Sequence, residues 1–182
     1  MGWIIFIIIV VIILGIFMAV YNGLITRRNR VKNAWAQIDV QLKRRFDLIP
    51  NLVETVKGYA KHEKETLEEV IKARNTYVNA STTEEAIKAN NEVVGALNRL
   101  FALAESYPDL KANENFKHLQ TELSSVEDKI GYSRQFYNDT VMMYNNFKQI
   151  FPNNIISSMF NFKDEPFFQV EETERDNVQV KF

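Results

Sequence analysis

The chain contains no cysteine. That excludes disulfides, thiolate metal sites, cysteine nucleophiles and lipid attachment through a cysteine. Its six glycines, Gly2, Gly15, Gly23, Gly58, Gly95 and Gly131, stand singly, so no glycine-rich loop can cradle a phosphate. Four prolines punctuate the chain without patterning it, and 22 Lys and Arg nearly balance 23 Asp and Glu. A net charge of −1 argues against an electrostatic nucleic-acid binder. Only two histidines are present. His62-Glu63-Lys64-Glu65-Thr66 opens like a zinc-protease helix, but Thr66 stands where the second histidine belongs. His118 has Glu114 and Glu122 one turn to either side, which reads as a solvated charged face. Di-iron bundles place Glu three residues before His; here Asn115 precedes His118 and Tyr59 precedes His62 at that spacing. Ser124-Ser125 and Ser157-Ser158 have no histidine at a telling position. No catalytic residue, metal or cofactor is expected.

No charged side chain occurs from Met1 to Thr26, and Trp3 to Val20 is almost pure Ile, Val, Leu, Phe and Met. A helix of about 23 residues rises about 34 Å, enough to cross a hydrocarbon core of about 30 Å. Trp3 and Tyr21 stand near its ends, where amphipathic rings favour the headgroup level. A cleaved signal peptide needs a basic start, a shorter apolar run and a small-x-small site; Ala19-Val20-Tyr21 is a poor one. Residues 1–26 are therefore expected to form a single-pass anchor. Arg27, Arg28, Arg30 and Lys32 follow at once, whereas no Lys or Arg precedes the span. That asymmetry predicts the N-terminus outside, the rest cytoplasmic, and a membrane surface that meets these four side chains. Gly15, Ala19 and Gly23 repeat every four residues, the spacing that lets membrane helices self-associate.

Roughly 155 residues remain, enough for one domain with its own core. Apolar residues at Trp35, Ile38, Leu42, Phe46, Ile49, Val53 and Val56, then Leu67, Val70 and Tyr77, step by threes and fours along an amphipathic helix or two in phase. Pro50 and Gly58 are both candidate interruptions, with Asp47 able to cap a fresh helix at Pro50. Lys43, Arg44 and Arg45 lie about 28 Å beyond the anchor if the helix continues, so ion pairing within or between chains suits them better than lipid. Thr82-Thr83-Glu84-Glu85 is a capping box, opening a helix with Ile87, Val94, Leu97, Phe101 and Ala104 on one face. It closes before Tyr107-Pro108. Positions 116, 119, 123, 126, 130, 133, 137, 140, 144, 147 and 151 then alternate by three and four, a seam with a polar middle at Ser133 and Thr140. Its aromatics read as core rather than as a ligand box. Residues 152–182 combine a short apolar segment, an acidic stretch and extended character at Val170 and Val178-Gln179-Val180.

The stretch from Ala34-Trp35-Ala36-Gln37-Ile38-Asp39 through Phe46-Asp47-Leu48-Ile49-Pro50-Asn51-Leu52-Val53 resembles the signature of the LemA family. So do Ala104-Glu105-Ser106-Tyr107-Pro108-Asp109-Leu110-Lys111-Ala112-Asn113, Tyr144-Asn145, Phe151-Pro152 and the ending Val178-Gln179-Val180-Lys181-Phe182. The resemblance implies an all-α bacterial protein: a transmembrane helix, then an antiparallel four-helix bundle over residues 27–151 with long helices, and a short extended C-terminal tail. Four helices require a break within residues 31–80. With four, the last long helix returns to the membrane, and residues 155–168 lie at the membrane-proximal end. The family carries no established catalytic activity; some relatives shape an internal membrane and some are encoded beside membrane metalloproteases. The expected function is a non-enzymatic scaffold at the bacterial inner membrane whose partners are lipid, copies of itself and another membrane protein. The alternative is an adaptor of a membrane protease or transport complex.

Overall fold

The apolar start and the basic cluster belong to one helix. The computed structural model describes residues 1–169. In it α1 runs Gly2–Tyr59, followed by α2 (Lys64–Val78), α3 (Thr83–Ala104), α4 (Pro108–Ala112), α5 (Glu114–Gln149) and α6 (Asn153–Met159). Among the described residues there is no strand, in line with the all-α expectation. The extended character expected at Val170 and Val178-Gln179-Val180 lies outside the described residues. The chain divides into two units. One is Met1–Gln37 with Ser133–Phe167; the other is Ile38–Tyr132 with the chain from Phe168.

In the second unit, the interruption falls at Gly58 and not at Pro50: α1 passes through Pro50 and ends at Tyr59. Asp47 therefore caps no new helix. Proline has no N–H, so the carbonyl four residues back loses its helical donor. That carbonyl belongs to Phe46, and Arg74 Nε on α2 donates to it at 3.0 Å. A side chain thus replaces the missing backbone bond. Tyr77, one turn further along α2, lays its ring 4.0 Å from that of Phe46. Its hydroxyl donates to Asp39 Oδ1 at 2.7 Å. Burial raises the Asp39 carboxyl, but the hydrogen bonds from Lys43 and Tyr77 outweigh it and hold the group below its ordinary value. Replacing Arg74 with Leu is expected to cost about 1–2 kcal/mol. In a Pro50→Ala background, where the backbone N–H is restored, the loss should shrink by about 1 kcal/mol. Equal losses by urea denaturation in both backgrounds would show that Arg74 does not act through Phe46.

The core of this unit follows the predicted rows on α1 and α2 but shifts on α3, where Val93 and Leu100 are buried and the predicted Val94 and Phe101 are half-buried; it also takes in Leu52 and Arg45. Ile38, Leu42, Ile49, Leu52 and Val56 are buried on α1, and Arg45 is buried among them at 1% exposure. Its guanidinium donates to Asn90 Oδ1 at 2.7 Å and pairs with Glu127. Arg44 faces Glu122 at 3.9 Å, and Lys43 faces Asp39 at 2.8 Å. All three cations of this cluster thus pair within the chain. Val70 and Tyr77 on α2, Val93, Leu97 and Leu100 on α3, and Phe116, Leu119, Leu123, Val126 and Ile130 on α5 are buried as well. Thr82 caps α3 as predicted: its side chain accepts from Glu85 N at 3.2 Å while Glu85 Oε2 accepts from Thr82 N at 3.2 Å.

Candidate membrane-interface site

The site is built in the first unit, where the apolar start of α1 gives way to packed protein. Residues 1–19 are exposed, apart from half-buried Phe17. Packing begins at Val20 and continues through Leu24, Val31 and Ala34, all buried. The last turns of the expected anchor, residues 20–26, are thus shared with the folded part. On α5 the predicted seam supplies Tyr137, Thr140 and Tyr144, all buried, with Val141 beside them. Trp35 meets Tyr137 edge-on at 5.6 Å. The seam ends earlier than its spacing indicates, since Phe147 is half-buried and Phe151 is exposed. Thr140 satisfies its hydroxyl locally by donating to the Tyr137 carbonyl at 2.7 Å, which removes the cost of a buried polar group in the seam.

The four basic residues expected at the surface take different positions. Arg27 lies over the Phe147 ring, 3.7 Å from its centroid, and Nη1 reaches the Gly23 carbonyl at 3.4 Å. Arg28 Nε faces Glu165 at 3.7 Å. Arg30 and Lys32 are exposed. A cleft of about 540 Å³ opens beside them, with Thr26, Arg27 and Arg30 on one side and Thr140, Met143 and Phe147 among its other walls. Its cationic rim and apolar wall can accept an anionic headgroup and the start of its chain. The small-residue ladder is also uneven. A Cβ on Gly23 would come within 2.9 Å of Phe147 Cζ, so that glycine accommodates a ring of its own chain. A Cβ on Gly15 would meet nothing within 4 Å, and Ala19 is exposed.

The chain beyond α5 returns to this level and then folds back. α6 is tied to the end of α5: Asn153 Nδ2 donates to the Phe147 carbonyl at 2.9 Å and Ser157 Oγ to that of Lys148 at 3.2 Å. Asn161 adopts φ 53°, with its N–H on the Ser158 carbonyl and the Phe162 N–H on that of Ser157. This is a Schellman stop, with asparagine in the left-handed position. It turns Phe160 and Phe162 onto Tyr21, with ring centroids 4.9 and 6.0 Å away; Phe160 also meets Phe17 at 5.7 Å. Residues 163–166 then run along α5 as a strap. Tyr144 and Tyr137 hydroxyls donate to the Lys163 and Pro166 carbonyls at 2.9 and 2.8 Å. Asn145 donates to the Glu165 carbonyl at 3.0 Å and accepts from Glu165 N at 3.1 Å. Burial, then the Glu165 charge, pushes both phenols up, so they remain donors at neutral pH. Replacing Asn145 with Ala leaves two strap groups without their partner and is expected to cost about 2 kcal/mol. Exchange of the Glu165 amide should accelerate selectively; unchanged protection there would mean that the tyrosines alone hold the strap.

The residues that position this site were only partly singled out by sequence. Tyr137 and Tyr144 lie on the seam; Asn145, which clasps the strap, lies off it and was marked only through the family likeness at Tyr144-Asn145, which does not name its partner. Among the described residues no three His, Asp or Glu side chains converge as a metal-ligand set.

The LemA family profile matches residues 34–182. Protein LemA of Metamycoplasma hominis is 30% identical over 183 residues, covering 96% of this chain and 82% of that protein. Magnetosome protein MamQ 2 of Paramagnetospirillum magneticum is 25% identical over 175 residues, covering 82% of this chain and 64% of that protein. Magnetosome protein MamQ of Magnetospirillum gryphiswaldense is 23% identical over 174 residues, covering 81% and 64%. The chain thus spans just under two thirds of the MamQ proteins it matches. The family match begins at Ala34, inside α1, and does not cover the apolar residues before it.

Proposed function

Because the chain belongs to the LemA family, we propose that it is a membrane-anchored, non-enzymatic helical scaffold that self-assembles at a bacterial inner membrane and organises lipid and partner membrane proteins there. One observation carries this reading. Among the described residues no protein surface buries the apolar start of α1, yet the same unbroken helix supplies the buried row of the folded part. An exposed apolar face of that length needs hydrocarbon around it. The soluble part is an antiparallel four-helix bundle in this proposal, built from α1 beyond the anchor, α2, α3 and α5. The pairs Asp39–Tyr77 and Phe46–Arg74 support antiparallel packing, since the numbering falls on α1 as it rises on α2. The basic residues after the span support an N-terminus outside and a cytoplasmic bundle. The magnetosome proteins among the relatives support a membrane role.

Self-association runs through Gly15 and Ala19 in this proposal, the two ladder positions that the chain itself leaves open. Purified protein in detergent is expected to form discrete particles larger than one chain. Replacing Gly15 and Ala19 together with Leu keeps the span apolar but separates the helices, so light scattering should report a smaller or looser particle. Unchanged particles would exclude this face. Single-chain particles carrying a co-purifying protein would overturn the scaffold reading in favour of an adaptor.

A further inference from the structure

We infer that residues 151–160 form a second contact with the bilayer, seating Phe151, Ile155, Met159 and Phe160 at the edge of the hydrocarbon where α1 leaves it. The inference rests on α1 being a membrane span. Its first support is a length. Residues 2–19 of α1, exposed apart from half-buried Phe17, rise about 27 Å, slightly less than a hydrocarbon core of about 30 Å. The bilayer must therefore reach the level of Val20 and Tyr21, and Phe160 is already there, its ring against both Phe17 and Tyr21.

The second support is exposure. α6 buries Asn153, Ile156 and Ser157 and turns the other way Ile155, 53% exposed, and Met159, 66% exposed, one helical turn apart. Phe151 and Phe160, at its two ends, are 79% and 45% exposed. These side chains are held in place by the Asn153 and Ser157 bonds to α5 and by the turn at Asn161. The third support is charge. No Asp, Glu, Lys or Arg occurs from Gln149 to Phe162; Lys163 follows the stretch, and Lys148 before it is held by Asp164. An uncharged apolar segment followed by a lysine and held beside a span matches the acyl–headgroup boundary. Continuity with the span selects lipid over a second copy as its occupant.

The absence of native cysteine allows single-cysteine labelling of the full chain. Met159→Cys, Val10→Cys and Gln135→Cys, each carrying an environment-sensitive fluorophore, are reconstituted into phosphatidylcholine–phosphatidylglycerol vesicles. Nitroxide lipids labelled at the headgroup or deep in the acyl chain act as quenchers, with iodide as the aqueous one. Gln135 is the water-side control: it is exposed and lies near Tyr137, whose ring meets Trp35, about 21 Å along α1 from Tyr21. The label at Met159 should lose more fluorescence to headgroup nitroxide than to deep nitroxide, Val10 the reverse, and Gln135 should lose fluorescence only to iodide. Iodide quenching alone at Met159, with Val10 quenched by deep nitroxide, would overturn the inference and leave the anchor standing. Protection of Met159 from all quenchers would also overturn it, placing a protein surface there instead. Iodide quenching at Val10 would refute the anchor itself, and the inference with it.

Discussion

Replacing Val11 and Ile13 with arginine is expected to strip the protein from membranes. The two positions lie on opposite sides of α1, and both side chains are exposed, 61% and 59%. Each arginine near the centre of a span costs about 2.5–3.5 kcal/mol, so the pair costs about 5–7 kcal/mol. No acid within the span offers compensation, since residues 1–26 carry no charge. The folded part should be unaffected, because packing begins only at Val20. After alkaline extraction of membranes the wild type should stay in the pellet and the variant should move to the supernatant with its helical circular dichroism intact. Retention of the variant in the pellet would mean that some other surface carries the attachment.

The largest effect on stability is expected at Arg45. Replacing it with Met preserves most of the side-chain volume but removes the donor to Asn90 Oδ1 and the cation facing Glu127. Breaking a buried pair on one side costs about 3–5 kcal/mol. Glu127 is half in solvent and can rehydrate, which places the loss near 3 kcal/mol and lowers Tm by roughly 10 °C for a domain of this size. Arg44, more than half exposed and 3.9 Å from Glu122, should cost less than about 1 kcal/mol on the same replacement. Adding Asn90→Leu to Arg45→Met should recover part of the loss, since the orphaned amide is then gone. Equal losses at Arg44 and Arg45 would remove the distinction drawn from burial.

These contrasts show what the chain's one-dimensional pattern carries. The long apolar helix at the start was legible because an uncharged run of eighteen apolar residues favours hydrocarbon, and the α5 seam because three-and-four spacing fixes a face. The start of α3 was legible in Thr82 and Glu85, whose partners lie three residues apart. Arg45 was grouped with Lys43 and Arg44 as a pairing residue, yet its place in the row Leu42, Arg45, Ile49, Leu52 marks it as a core position. Its partners, Asn90 and Glu127, are far away in sequence. Continuation through Pro50 was illegible for the same reason: the donor that rescues the Phe46 carbonyl comes from Arg74. The interface site was legible in part. Helix parity, on the four helices that the family likeness implies, leads to the expectation that residues 155–168 lie beside the apolar start of α1, and Phe160 lies against Tyr21. Occupation of Gly23 by Phe147 was not legible, because a small residue signals close approach without naming what approaches.

Digestion from each side of the membrane tests the anchored arrangement most directly. Trypsin added to inverted vesicles should remove everything beyond the basic cluster that begins at Arg27 and leave a small N-terminal fragment embedded in lipid. Added to intact cells with a permeabilised outer envelope, it should leave the chain whole. Digestion of the bundle from the outside would contradict the cytoplasmic placement, and loss of the N-terminal fragment from the vesicles would contradict the span.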